Sequence, residues 1–324
     1  MKAIQMTAIG GPEVLQVVEV PEPQPGSGFV RIRNRAIAVN FHDINTRRGD
    51  EPDVQLPMIP GSDFAGVVDA VGDAVTHIKP GDRVLGINTG GAYAEATLAM
   101  ALLAVPIPER LSFELAAACP VAGLTAYFMT HQVQTIRRGD PVVVHAAAGS
   151  VGCFMGGLLR QLGATSIGLV SSANKAEVAR RAGYTHVVNY RTEDPVARVH
   201  AHTGGAGARV VYDSVAGPHF RRSIDMTAVD GTVVLFGHAA GDPPPEALTH
   251  WLRGGRNIAL RTYFLGTTIQ AHLSAIPAAY AHLFEALSAG AIHLPIETMP
   301  LADAARAHAR IEQQQTVGKV ILVP

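Results

Sequence analysis

The segment from Val142 to Gly152, VVVHAAAGSVG, limits what this chain can become more than any other stretch. A short β-branched run is followed by a turn of small residues and then by an apolar helical stretch. A run of that length reads as a buried strand. A dinucleotide fingerprint needs a small residue for the tight turn, a glycine where backbone meets pyrophosphate, and a glycine for helix–strand packing. Ala147, Gly149 and Gly152 stand at those three positions, and Ser150 and Val151 open the helix. The first N–H groups of a helix have no partner within it, and its dipole is positive at that end, so a phosphate is stabilised there. An ordinary strand–helix turn with no ligand is the plain alternative, and the triplet alone does not exclude it.

The surrounding chain repeats the same alternation. Val142 to His145, Ser166 to Val170, His186 to Asn189, Val210 to Asp213 and Thr232 to Phe236 read as strands. Val151 to Leu162 and Lys175 to Ala182 read as helices between them. This pattern predicts a doubly wound α/β domain with a parallel sheet covered on both faces. Ile258 to Phe264 is expected as a further strand on the sheet edge. Residues 1 to about 110 have a different texture, rich in short apolar runs such as Gly28 to Ile37 and Ala65 to Val71, with Pro-Gly turns between them. The tail reads as a helix, Leu301 to Glu312, then a strand, Lys319 to Val323, which needs a partner in the β-rich front half.

A second-strand carboxylate about 20 residues beyond the glycines selects NAD by binding the ribose 2′-OH. No Asp or Glu lies between Gly152 and Glu177. The second strand ends in Ser171-Ser172, and Lys175 follows. Two hydroxyls and a cation suit a 2′-phosphate, so the expected cofactor is NADPH. Read alone, Lys175 is equally well a solvated helix residue.

The formal net charge of −1 gives no general attraction for nucleic acid or for an acidic membrane surface. The longest apolar stretch, Ala96 to Ile107, is too short to span a bilayer, and the N-terminus lacks a signal-peptide core. A cytoplasmic protein is expected. Cys119 and Cys153 are the two cysteines, too few for a disulfide framework or a four-cysteine zinc site. Cys153 falls in a first helical turn, where a thiol pKa can drop, but packing is its simpler role.

Several segments resemble the quinone oxidoreductase branch, including the zeta-crystallin type, of the medium-chain dehydrogenase/reductase superfamily. HAAAGSVG (His145 to Gly152) is similar to that family's A-x-x-G-x-x-G loop, and NFHDINTRRG (Asn40 to Gly49) to its N-x-x-D-x-x-x-R-x-G segment. PGSDFAGVVDAVG, KPGDRV, GGAYAE, AGLTAY, VVNYRTED and VVYDSV continue the likeness in order along nearly the whole chain. The resemblance implies a Rossmann domain over 122–264, inserted in a GroES-like β-rich catalytic domain formed by 1–121 and 265–324. It also implies NADPH in the cleft between them and a homodimer paired through Rossmann edge strands. On that likeness Ser171, Ser172, Lys175 and Tyr190 surround the 2′-phosphate, and Val215 joins the cofactor site. Asn40 and Thr125 lie near the nicotinamide. Gly237, His238, Phe264 and Leu265 contact its side, and Gly318 and Lys319 close it from the tail.

Zinc relatives in the superfamily carry a ligand histidine in a G-H-E segment. Here the residues are Gly61-Ser62-Asp63, and no cysteine stands near Asn40, so no metal site is expected. Three departures, Asn45, His238 and Gln314, fall where the family has other side chains and bear on the acceptor pocket. Without a Lewis acid to polarise a carbonyl, the acceptor must be electrophilic on its own, such as a quinone or an α,β-unsaturated carbonyl. In this reading Asn40 and Thr125 position ring and acceptor. Arg47 either stabilises developing negative charge or merely pins a loop by an ion pair. Asn40 has its own plain reading, satisfying backbone groups at a turn. His42 reads as structural, and no residue stands out as a proton donor. An enoyl-thioester reductase and a non-catalytic NADPH-binding protein are the rival functions.

Overall fold

The computed structural model describes residues 1–51 and 54–324. The chain divides into two compact units. The first comprises Met1–Gly123, Tyr280–Ser288 and Pro295–Pro324, and the second Leu124–Ala279 and Ala289–Leu294.

The first unit begins with a two-stranded antiparallel ribbon, β1 (Lys2–Gln5) and β2 (Gln16–Glu19). It continues through β3 (Phe29–Ala38), α1 (Phe41–Arg48), β4 (Asp63–Val71), β5 (Arg83–Ile87), β6 (Ala96–Met100), β7 (Val105–Pro106) and α2 (Phe113–Ala117). β3 alternates as half-buried strands do, with Val30, Ile32, Asn34 and Ala36 inward. It pairs antiparallel with β4 and with β6. Asn40 to Gly49, unassigned from sequence, folds as α1. Asp43 accepts the Asn40 backbone N–H at 2.8 Å, one half of a capping box, and Gly49 ends the helix with φ 81°.

The second unit contains α3 (Leu124–Phe128), β8 (Pro141–Val144), α4 (Ser150–Leu162), β9 (Thr165–Val170), α5 (Ala173–Ala182), β10 (His186–Asn189) and α6 (Pro195–His202). β11 (Ala208–Asp213), α7 (Phe220–Met226), β12 (Thr227–Leu235), α8 (Pro245–Arg253), β13 (Ala259–Thr262) and α9 (Leu265–Ala271) follow. Its six strands run in the order β10-β9-β8-β11-β12-β13, and every pairing is parallel. The expected doubly wound sheet is therefore present, with β13 on its edge. Val143, Ile167, Leu169, Val188, Val211 and Val233 pack against Phe220, Ile224 and Met226. Each such side chain contributes roughly 1.5–3 kcal/mol on burial. The helices carry local signals: Ser172 caps α5 by accepting the Lys175 N–H, and Asp194 caps α6 with Pro195 following.

The chain returns to the first unit within α10 (Ile276–Ser288) and finishes with β14 (Ile296–Pro300), α11 (Ala304–Glu312) and β15 (Lys319–Val323). This return comes at Tyr280, later than the expected residue 265, because α9 packs against α3 inside the second unit. The terminal strand finds the host predicted for it. β15 pairs antiparallel with β3 and parallel with β14.

Two backbone positions at the β8–α4 turn generate opposite expectations. A Cβ at Gly152 would stand 2.5 Å from the Ala146 carbonyl oxygen and 2.7 Å from Ala147 backbone carbon. Gly152→Ala should therefore destabilise the protein by about 1–3 kcal/mol. Ala146, exposed and left-handed at φ 50°, carries a steric cost that glycine lacks. After the larger chain entropy of glycine is subtracted, Ala146→Gly should stabilise by about 0.5–1 kcal/mol. Thermal unfolding of the two variants checks both signs; a lower melting temperature for Ala146→Gly would contradict the second.

Candidate functional site

The turn after β8 is built as a cradle. Ala146 turns the chain, so the tight turn lies one residue before Ala147, where the sequence reading put it. Ala147 is instead buried against β9 and donates its N–H to the Leu169 carbonyl at 3.1 Å. A Cβ built on Gly149 would meet only the Ala146 carbonyl oxygen, at 3.2 Å, and otherwise open space. A bulky group can therefore approach the backbone there. Ser150 and Val151 form the first turn of α4, whose dipole points at that space. Further into the helix, Cys153 is fully buried and its thiol is pushed up to about 12 by burial, so it packs and does not react.

A network of buried polar groups steadies this loop from below. His145 Nε2 lies 3.0 Å from Ser223 Oγ, and Ser223 donates to Asp213 Oδ2 at 2.6 Å. With its only proton given to Asp213, Ser223 accepts from His145, which fixes the proton on Nε2. Burial works to raise the Asp213 pKa. His145, Ser223 and the Ala216 and Val215 amides outweigh it, and the carboxyl stays below its usual value. This Ser-His-Asp trio is no nucleophile, because Ser223 is fully buried and its proton is committed. It ties the ends of β8 and β11 to α7, and nothing in the residue spacing announced it.

Next to this network lies a small cavity of about 40 Å³, lined by Leu169, Tyr190, Val215, His219 and Arg222 among others. Tyr190 and Val215 were expected at the cofactor; Arg222 and His219 were not. At the end of β9, Lys175 Nζ donates to Ser171 Oγ at 3.3 Å, and Ser172 is occupied as the α5 cap. Burial lowers the Lys175 pKa, and the positive charge of Arg191 lowers it further. Arg191 therefore belongs to the same cationic corner. It follows Tyr190 directly in sequence, but the expected pattern of serines and a lysine does not include it.

The remaining second-unit candidates are spread along loop ends. Gly237 has its Cα against the Ser214 carbonyl, where a Cβ would sit 2.9 Å away. His238 is exposed and lies 3.3 Å from Asp242. Phe264 is exposed at 61% and caps α9, with Leu265 as the first residue of that helix. Thr125 is buried on α3 beside the Tyr263 hydroxyl, whose pKa burial pushes up to about 12 against the pull of Thr268 and Thr125.

In the first unit, the candidates join a buried polar core. Asp43 accepts from Ser62 Oγ at 2.9 Å and from Tyr93 at 3.2 Å. Tyr93 also meets His308 Nε2 at 2.9 Å. Burial, with the charge of Arg47, pushes His308 down to about 3, so this histidine is neutral. Asp63 is fully buried and accepts from Asn40 Nδ2 at 3.0 Å and from the Val121 N–H at 3.0 Å. Lys319 is 1% exposed and donates to Asn40 Oδ1. Lys319 was expected with Gly318 on the tail side of the nicotinamide; its ammonium is held inside the unit by Asn40 and Asp63. Gly318 precedes it at φ 60°, where a Cβ would strike the Pro295 carbonyl oxygen at 2.0 Å.

Arg47 takes the plainer of its two expected readings, an ion pair. It is 1% exposed and gripped by both carboxylate oxygens of Glu312, which also binds Arg48. This ion pair pins α1 to the end of α11. His42 pairs with Glu51 at 3.1 Å, as suits a structural residue. Among the described residues, no three His, Cys, Asp or Glu side chains converge as metal ligands, and no helix is long and apolar enough to cross a membrane.

Residues 26–109 match the family described as "Alcohol dehydrogenase GroES-like domain", and residues 182–322 match "Zinc-binding dehydrogenase". The chain is 37% identical to Quinone oxidoreductase 1 of Escherichia coli strain K12, covering 97% of each protein. It is also 37% identical to a 2-haloacrylate reductase from a Burkholderia species, covering 97% of this chain and 96% of that one. The solved Escherichia coli quinone oxidoreductase complexed with NADPH superposes with a TM-score of 0.94 at 36% identity, over 100% of both chains. The strand order, the glycine cradle and this end-to-end likeness agree, and the chain belongs to the quinone oxidoreductase family of the medium-chain dehydrogenase/reductase superfamily.

Proposed function

We propose that this protein is an NADPH-dependent reductase that delivers a hydride to a quinone or an α,β-unsaturated carbonyl. The observation that carries the reading is the β8–α4 cradle. It combines open space over Gly149 with a helix N-terminus and, at the end of β9, a cationic corner of Ser171, Lys175 and Arg191. NADPH suits these residues: pyrophosphate against the first amides of α4, and the 2′-phosphate against the cations and the Ser171 hydroxyl. When bound, the cofactor supplies the hydride, and the protein supplies placement and exclusion of water.

Asn40 and Thr125 are the residues we assign to positioning ring and acceptor. Gly237, His238, Phe264 and Leu265 are assigned to the nicotinamide side, and the Gly318 backbone to the tail side. The 2-haloacrylate reductase among the relatives favours keeping activated alkenes beside quinones as acceptors.

Zinc does not fit the donor set, despite the description attached to the family. Ser62 gives its hydroxyl to Asp43, and Asp63 is already filled by Asn40 and Val121. Among the described residues, no three His, Cys, Asp or Glu side chains converge there to complete a ligand set. A homodimer formed through β13 is part of the same reading. β13 is an edge strand with Ala259, Arg261 and Thr262 exposed, and such an edge offers unpaired backbone groups to a second copy.

Three measurements test these assignments. NADPH oxidation followed with 1,4-benzoquinone and with 2-cyclohexenone should show turnover with at least one; silence with both would reject the reaction class. In calorimetric titrations, Lys175→Ala and Arg191→Ala should each weaken NADPH binding about 10- to 100-fold, the worth of a charge-assisted hydrogen bond, and leave NADH within about threefold. Equal losses for both nucleotides would remove the 2′-phosphate from this corner. Sedimentation equilibrium should give twice the chain mass, and a monomer at micromolar concentration would discard the β13 interface.

A further inference from the structure

Asn40 is 5% exposed, and its side-chain amide has an orientation that its partners dictate. An asparagine amide is usually ambiguous, since its oxygen and nitrogen look alike. Here the ambiguity is removed by chemistry. Lys319 has only donors, so the atom it meets is Oδ1. Asp63 also holds the Val121 N–H and lies 4.0 Å from the Lys319 ammonium, so it acts as an acceptor and the atom facing it is Nδ2. Lys319 and Asp63 are themselves 1% and 0% exposed, far from the usual location of such residues. A buried ion pair seldom stabilises a fold more than apolar packing would, so stability alone is a poor account of this one. Among the described residues, one Nδ2 hydrogen of Asn40 is committed to Asp63, and the second has no partner.

We propose that Lys319 and Asp63 are a positioning pair that clamps the Asn40 amide, so that its second Nδ2 hydrogen is presented as a donor to the oxygen of a carbonyl or quinone acceptor. The proposal rests on the assignment of Asn40 to the acceptor side. Beyond that assignment, the orientation of the amide is set by two directly bonded neighbours, Lys319 and Asp63. Rotating the amide by half a turn would put its NH2 group against an ammonium and its oxygen against a carboxylate. It would also offer the acceptor oxygen a lone pair in place of a proton.

The test compares wild type with Lys319→Arg, Lys319→Met and the charge-balanced double variant Asp63→Asn/Lys319→Met, reading kcat and KM separately. Both variants with methionine should lose about 10- to 100-fold in kcat, the usual cost of a misplaced contact, with KM for NADPH within about threefold. Lys319→Arg, which keeps the donor, should recover most of kcat. If the pair served only to balance charge, the double variant would regain wild-type kcat, and that result overturns the proposal. The double variant also keeps the test open if Lys319→Met alone folds poorly. Wild-type turnover decides the underlying reading separately. The clamp is read without turnover from hydrogen exchange of the Asn40 side-chain amide, assigned with Asn40→Ala. Exchange should be slow in wild type and Lys319→Arg and fast in Lys319→Met; no difference would equally sink the clamp.

Discussion

The close backbone approach between Gly152 and the Ala146–Ala147 turn is the contact on which the second unit depends. It lets α4 start directly over the end of β8, with its first amides facing outward. A side chain at residue 152 would push the helix off the strand, and the space over Gly149 would then lose its wall. The left-handed Ala146 is part of the same constraint, since the chain must reverse within a few residues of the strand. Beneath the turn, the His145–Ser223–Asp213 network links β8, β11 and α7 without exposing a reactive group. Rigidity under the loop and openness above it are two results of one local arrangement.

The first unit solves a different problem. It buries Asp43, Arg47, Asp63, His308 and Lys319 among apolar side chains. Such groups are tolerated only when each finds a partner, because an isolated buried charge costs several kcal/mol. Arg47 finds Glu312, Lys319 finds Asn40 and Asp63, and Asp43 collects donors from Asn40, Ser62 and Tyr93. His308 is held neutral by its surroundings. Several of these pairs join residues more than 200 positions apart, from α1 to α11 and from Asn40 to β15. The polar core thus locks the two ends of the chain into one unit, with β15 seated on β3.

Some of this was legible in the residues. The parallel sheet could be read because β-branched runs alternate with helical stretches, and the terminal strand could be placed because an unpaired strand must find an edge. The cationic corner was read in part. Ser171 and Lys175 follow the expected strand directly, whereas Arg191 reaches them from the turn after the next strand, a distance that only the sheet closes. The partners of Arg47 and Lys319 were illegible for a related reason. In a sequence, a cation beside a functional motif looks available for a ligand. Its counter-charge, Glu312 or Asp63, lies hundreds of residues away.

What the residues determined alone were the local decisions: the strand–turn–helix unit, the capped helices, the β-rich front half and the want of a carboxylate where NAD would be bound. These follow from spacing and side-chain chemistry within a few turns of chain. Tertiary structure decided which charges were already spent and which way the Asn40 amide faces. Those outcomes depend on Coulomb and hydrogen-bond partners brought together only by folding, and in a dry interior such partners govern whether a group serves the fold or remains free for chemistry.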